Sequence, residues 1–159
     1  LYLWGGFTPA GDDGEAVVHC DGAKYNLASR EWNLLPTIVD ENNLPLTLSG
    51  GAAVATADGR IFAAGGVNRE IFEDAISGKY NCVPKNEYMR CPIGWYRFND
   101  RLLGFDIAEE KWEILNRNAS YARAGAVLAI DGENLYYVGG ELKPGIRTPE
   151  IKEFSFLIK

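Results

Sequence analysis

Three charged residues crowd one short segment late in the 159-residue chain: Glu141, Lys143 and Arg147, with Pro144-Gly145 between the last two. Pro followed by Gly forces a turn, so a carboxylate and a guanidinium six residues apart can meet at one mouth. A carboxylate accepts and returns protons, and a planar guanidinium can bind both oxygens of an anionic group. A solvated loop carrying a weak surface ion pair would use the same residue types. Spacing alone leaves both readings open.

The segment is set apart by comparing the chain with itself. An apolar strand ending in Gly-Gly, then a loop, then a strand with an aromatic residue, a turn and Trp occurs twice in full: Gly5-Gly6 with Tyr25 and Trp32, and Gly65-Gly66 with Phe105 and Trp112. A third copy opens with Asn134 to Val138 and Gly139-Gly140. The residue after Gly-Gly is Phe7, then Val67, but Glu141 in the third copy. There a carboxylate replaces an apolar side chain.

The elements that must position these residues are short strands. Apolar runs precede Asp58-Gly59 and Asp131-Gly132, where Asp-Gly supplies the positive φ of a tight hairpin turn. The second unit therefore reads as four strands: Gly51 to Ala57, Arg60 to Ala64, Leu102 to Ile107 and Lys111 to Leu115. One small sheet cannot bury both faces, and radial stacking of such sheets solves that problem. The expected fold is all-β, a partial kelch-type β-propeller of about two and a half four-stranded blades. Residues 1–49 form an incomplete blade, 50–116 a blade with a long insertion at 69–99, and 117–159 the start of the next. Gly-Gly pairs lie 60 and 74 residues apart, against roughly 50 for a usual kelch unit, so both intervals carry insertions. A propeller takes roughly four to eight blades, so the remaining blades must come from a longer polypeptide or from another chain.

Composition narrows the function classes. A net charge of −6 opposes binding to nucleic acid, and no apolar run is long enough to span a bilayer. Three cysteines leave an odd thiol whatever pairs; Cys82 and Cys91, flanking a Pro-bearing stretch, are the plausible pair, against three reduced thiols. A single histidine, His19, is too few imidazoles for a copper-radical oxidase.

The run Gly-Gly-Glu-Leu-Lys-Pro-Gly-Ile-Arg-Thr at 139–148 resembles the Gly-Glu-x-Lys-Pro-Gly-x-Arg-Thr segment of the kelch-propeller N-acetylneuraminate mutarotases, or epimerases. Gly65-Gly66-Val67-Asn68 followed by Ile71-Phe72, and Tyr121 with Ala124-Gly125-Ala126, are similar to further segments of that family. The resemblance covers residues 50–156; the first fifty match as generic kelch. It implies a six-bladed ring that interconverts the α and β anomers of sialic acid with no cofactor, in the periplasm or outside the cell. Glu141 and Arg147 fall on the family's proposed catalytic pair. Asn68, Lys143 and Arg123 are secondary candidates for contacts to the substrate. The rival reading is a non-catalytic kelch propeller that serves as a protein- or glycan-binding scaffold. A sialidase would need Asp-box repeats and an Arg cluster, and neither is seen.

Overall fold

The computed structural model describes residues 1–12 and 15–155. Asp13 and Gly14 of the first insertion, and residues 156–159 of the third unit, lie outside the described residues.

The first unit contains β1 (Tyr2–Trp4), β2 (Phe7–Thr8), β3 (Val17–Val18), β4 (Gly22–Asn26) and β5 (Glu31–Leu35). The second contains β6 (Gly51–Ala55), β7 (Arg60–Gly65), β8 (Arg101–Asp106) and β9 (Lys111–Arg117). The third contains β10 (Val127–Asp131), β11 (Asn134–Val138), β12 (Glu141–Lys143), β13 (Ile146–Arg147) and β14 (Ile151–Ser155). Antiparallel sheets run β1-β4-β5, β6-β7-β8-β9 and β10-β11-β14, and β2-β3 and β12-β13 are separate small hairpins. These are blades of a partial kelch-type propeller, and the second unit is a complete four-stranded blade.

The pleat explains why the middle blade's strands read as nearly continuous apolar runs. Along β7, Ile61 and Ala63 pack toward the first blade while Phe62 and Ala64 pack toward the third. Along β8, Leu103 and Phe105 face one way and Leu102 the other. Side chains alternate with a period of two, so a strand buried on both faces has no polar side to show. Trp4 fills the first interface, edge-on to Phe105 at 4.9 Å and to Trp112 at 5.0 Å. The aromatic-Trp signature is a cross-strand pair in both copies: Tyr25 faces Trp32 and Phe105 faces Trp112, each with ring centroids 5.0 Å apart. Its role is packing.

The hairpin turns differ in detail from expectation. Only the glycines of the two Asp-Gly pairs adopt positive φ, Gly59 at 91° and Gly132 at 59°. Asp131 stays in the ladder opposite Asn134, so Gly132 is the first of two central turn residues, where a type II′ hairpin favours glycine.

The register fixes which end of the blades matters. Gly51 pairs with Gly65, Ala64 with Leu102, and Arg101 with Arg117. The start of β6, the end of β7, the start of β8 and the end of β9 therefore share one end. The connections after each Gly-Gly emerge there: the β2-β3 hairpin, the 69–99 insertion and the β12-β13 hairpin.

That insertion, expected from the sequence only as extra length, is helical. Helix α1 (Arg69–Ile76) is followed by α2 (Lys85–Tyr88) and a 3₁₀ turn at Ile93–Tyr96. The overlooked signal was Asn68, whose Oδ1 accepts the Ile71 N–H at 3.1 Å and caps α1. No disulfide joins Cys82 to Cys91; Cys20, Cys82 and Cys91 are all free. Other contacts hold the segment. The Asp74 carboxylate accepts the N–H groups of Asn81 and Cys82, each at 2.9 Å. Tyr88 and Trp95 meet edge-to-face, and each stacks the same way on Tyr96.

Candidate functional site

Glu141 opens β12 immediately after two glycines, and its backbone is gripped from both sides. It exchanges two hydrogen bonds with Ala124 of the preceding connection, N–H to O at 2.7 Å and the reverse at 3.0 Å. Across the hairpin it stands opposite Arg147. This approach needs Gly140, at φ 97°, where a Cβ would press on Ala126. Glu141 is held as firmly as a residue in a central strand although it lies outside the blade's main sheet.

The carboxylate is only 30% exposed and accepts a hydrogen bond from Arg147 Nε at 3.3 Å. Arg147 itself is 82% exposed. Its terminal nitrogens have no protein partner among the described residues, so a forked donor remains free beside the carboxylate. The turn at Pro144-Gly145 brings the pair together, with Gly145 at φ 78°.

Glu141 stands on the wall of a cavity of about 290 Å³, roofed by the insertion. Phe7 of the first hairpin, Ile71 and Phe72 of α1, Phe98 and Pro144 are among its apolar lining residues. Phe7 meets Phe72 edge-on at 5.5 Å, and the Val18 N–H donates to the Glu73 carboxylate at 3.1 Å. The first hairpin thus supports α1, and the insertion in turn touches the third hairpin. Sequence reasoning named Phe7 as the residue after the first Gly-Gly but gave no part in the site to it or to Tyr88, Tyr96 or Phe98 of the insertion. The aromatic density of that segment was the available signal.

The remaining candidates sit around this cavity in different ways. Asn68 lines it, but its side-chain oxygen is occupied by the cap on α1. Lys143 turns away from it: Nζ donates to the carbonyls of Met89 at 3.1 Å and Cys91 at 2.7 Å, and lies 5.9 Å from the centroid of Tyr96. Its charge ties the Glu141 hairpin to the insertion. Arg123 is 1% exposed and lies behind the Gly-Gly step. Its Nη1 donates to the carbonyls of Gly139 and Glu150, its Nη2 pairs with the Glu150 carboxylate, and its guanidinium lies over Tyr137. A side chain so enclosed positions the strand from which Glu141 departs and does not reach the cavity.

A second cavity, about 870 Å³, opens on the other side of Val67 and Asn68. Arg101 on its wall is gripped by Glu41, with Nε 3.1 Å from each carboxylate oxygen. The donated hydrogen bonds pull the Glu41 pKa down to about 2. This pairing fastens the connection that carries Glu41 to the second blade.

Comparison with known proteins bears on the whole chain. The family model for N-acetylneuraminate epimerase matches residues 1–158. The chain belongs to the N-acetylneuraminate epimerase family. An N-acetylneuraminate epimerase of Brucella melitensis biotype 1 is 32% identical over 165 residues, covering 96% of this chain and 41% of that protein. One from Haemophilus influenzae strain PittEE is 30% identical, covering 100% of this chain and 43% of its own length. The solved structure of YjhT superposes with a TM-score of 0.80 at 28% identity, covering 99% of this chain and 46% of that one. The chain thus spans less than half the length of these epimerase relatives. The kelch-type blades described above are the family's fold, seen in part.

Proposed function

We propose that the complete protein to which this chain contributes interconverts the α and β anomers of N-acetylneuraminate, with Glu141 as the proton shuttle. The observation that carries this reading is the Glu141–Arg147 pair. In a chain of the epimerase family, a half-buried carboxylate is fixed on a cavity wall beside a guanidinium whose terminal nitrogens are free.

The chemistry follows from the substrate, a cyclic 2-keto sugar acid. Glu141 takes the proton of the anomeric hydroxyl as the bond between the anomeric carbon and the ring oxygen breaks. Glu141 passes that proton to the ring oxygen as the anomeric carbon becomes a carbonyl. Rotation about the neighbouring C–C bond turns the other carbonyl face toward the ring oxygen. Re-closure reverses the transfer through Glu141, so the cycle is proton-neutral and isomerises without oxidation. The free face of Arg147 binds the substrate carboxylate, which remains charged throughout.

On this reading the rest of the ring covers the apolar side chains at the two outer faces. Leu1, Leu3, Trp32 and Leu34 are exposed on one side, and Val127 and Ile151 on the other. The protein would meet its substrate in the periplasm or outside the cell. Among the described residues, no helix is long and apolar enough to cross a membrane.

The test is to follow freshly released α-anomer by NMR with the complete protein. The expected result is relaxation to the β form faster than in buffer. Glu141→Gln should remove about a hundred- to ten-thousand-fold of that acceleration while the circular dichroism spectrum stays the same. Relaxation at the buffer rate with unaltered protein refutes the reading and leaves the scaffold role. Full acceleration by Glu141→Gln removes Glu141 from the mechanism.

A further inference from the structure

The cavity beside Glu141 is chemically lopsided. Its polar side chains are mostly engaged by the protein itself. Asn68 Oδ1 is used by the helix cap. Ser49 Oγ donates to the Gly6 carbonyl at 2.7 Å and accepts the Gly6 N–H at 2.8 Å. The Tyr96 hydroxyl donates to the Tyr88 carbonyl. Three polar groups on the wall are left without such a partner among the described residues: the outer lone pairs of Glu141, the amide nitrogen of Asn68 and the hydroxyl of Tyr88. Burial pushes the Tyr88 pKa up to about 12, which keeps that hydroxyl a neutral donor.

Building on the anomerase reading, we propose that this cavity is an acyl-amino subsite. It receives the N-acyl end of the sugar acid and selects for a short apolar acyl group. A sugar acid presents hydroxyls on almost every carbon, and the acyl methyl is its one wholly apolar substituent. An apolar wall next to the acid/base residue matches that substituent. Phe7, Phe72 and Phe98 enclose the methyl, and the Tyr88 hydroxyl is the donor available to the acyl carbonyl. A volume of about 290 Å³ is also apt. It equals roughly ten waters at about 30 Å³ each, room for the acyl-amino arm and the adjoining ring edge.

The consequence is selectivity at a position remote from the bond that breaks. A hydroxyl added to the acyl methyl, as in an N-glycolyl group, would meet the Phe7, Phe72 and Phe98 part of the wall, where those side chains offer it no hydrogen-bond partner. Apolar pockets reject such an addition by up to about a hundredfold. The contact exists in ground and transition states alike, so the loss falls on KM with kcat nearly unchanged.

The experiment measures anomer interconversion by the complete protein on three sugar acids differing only at this carbon: acetamido, glycolylamido and plain hydroxyl. The expected result is that kcat/KM falls about 10- to 100-fold for the second and by at least about 10-fold for the third, chiefly through KM. Phe72→Ser, which brings a hydroxyl to the wall, should narrow the acetyl-to-glycolyl ratio to below about threefold, whereas the apolar Phe72→Leu preserves it. Equal kcat/KM for all three substrates, or Leu and Ser variants with the same ratio, overturns the subsite while leaving the anomerase reading intact. No turnover of any of the three overturns both.

Discussion

Lys143 offers the sharpest test of how the Glu141 hairpin is held. Lys143→Met keeps the aliphatic stem and removes the ammonium that bonds the Met89 and Cys91 carbonyls. A charge-assisted hydrogen bond contributes about 1.5–3 kcal/mol when well enclosed, and a cation over an aromatic ring about 0.5–1 kcal/mol at an exposed site. Lys143 is half-buried and one of its two bonds lies at the surface, so the lower ends apply and the joint contribution is about 2 kcal/mol. Because the contact joins two loops above the blades, its loss should open those loops and spare the sheets. Hydrogen exchange read by mass spectrometry should show the segment 85–99 exchanging about 30-fold faster, the factor that 2 kcal/mol represents. The amides of Cys91 and Trp95, bonded to Tyr88 and Pro92, report directly. Strands β7 and β8 should keep their protection. Unchanged exchange across 85–99 would refute the clamp, and a uniform rise over all three blades would show that Lys143 supports the fold as a whole.

Two further outcomes test other joints. Gly65 sits at φ 73°, and a Cβ there would overlap the Tyr137 hydroxyl and the Arg123 carbonyl. Gly65→Ala should therefore destabilise by about 3 kcal/mol, the left-handed backbone costing about 1–2 and the overlap about as much again; a change in urea-unfolding free energy below about 1 kcal/mol would contradict the packing at that step. Glu41 titrates near 2, chiefly because Arg101 donates hydrogen bonds to its carboxylate and further because that cation is close by. A depressed folded pKa means that the anchorage is complete above about 4.5, the ordinary glutamate value, and is lost as pH falls toward 2. An NMR titration should find the Glu41 midpoint near 2 and find it raised in Arg101→Met; a midpoint near 4.5 in the unaltered protein would refute the pairing.

The blades were legible in the sequence because their constraints are local and repeated. Gly-Gly, the aromatic strand and Trp recur in the same order, with seven residues from aromatic to Trp in both full copies, since each copy must meet its neighbour in the same way, and the cross-strand pairs Tyr25–Trp32 and Phe105–Trp112 have nearly the same geometry. The Glu141–Arg147 pair was legible in part: Pro144-Gly145 closes the hairpin, while a bulge between Glu141 and Lys143 sets Glu141 opposite Arg147. What stayed hidden was non-local. Nothing near Arg123 in the sequence says that its guanidinium is enclosed by Gly139, Glu150 and Tyr137. Lys143 lies two residues from Glu141, yet its partners are more than fifty positions away, at Met89 and Cys91. Helix α1 escaped notice because Asn68 was weighed as a contact to the substrate and not as the cap it is.

The three connections that follow Gly-Gly explain how a kelch blade can hold the Glu141–Arg147 pair at all. A two-stranded hairpin standing alone is marginal in water, and β12-β13 is shorter than most. Here it is one layer of a stack. The first hairpin meets α1 through Phe7 and Phe72, the insertion meets the third hairpin through Tyr96 and Lys143, and Ala124 pins Glu141 from below. Insertions of unequal length thus act together as a second tier above the propeller. The sheets supply the rigidity, while the tier supplies a carboxylate and the walls around it. Substitutions that loosen the tier should therefore lower activity before they lower stability, and the Lys143 and Gly65 variants bracket the two cases.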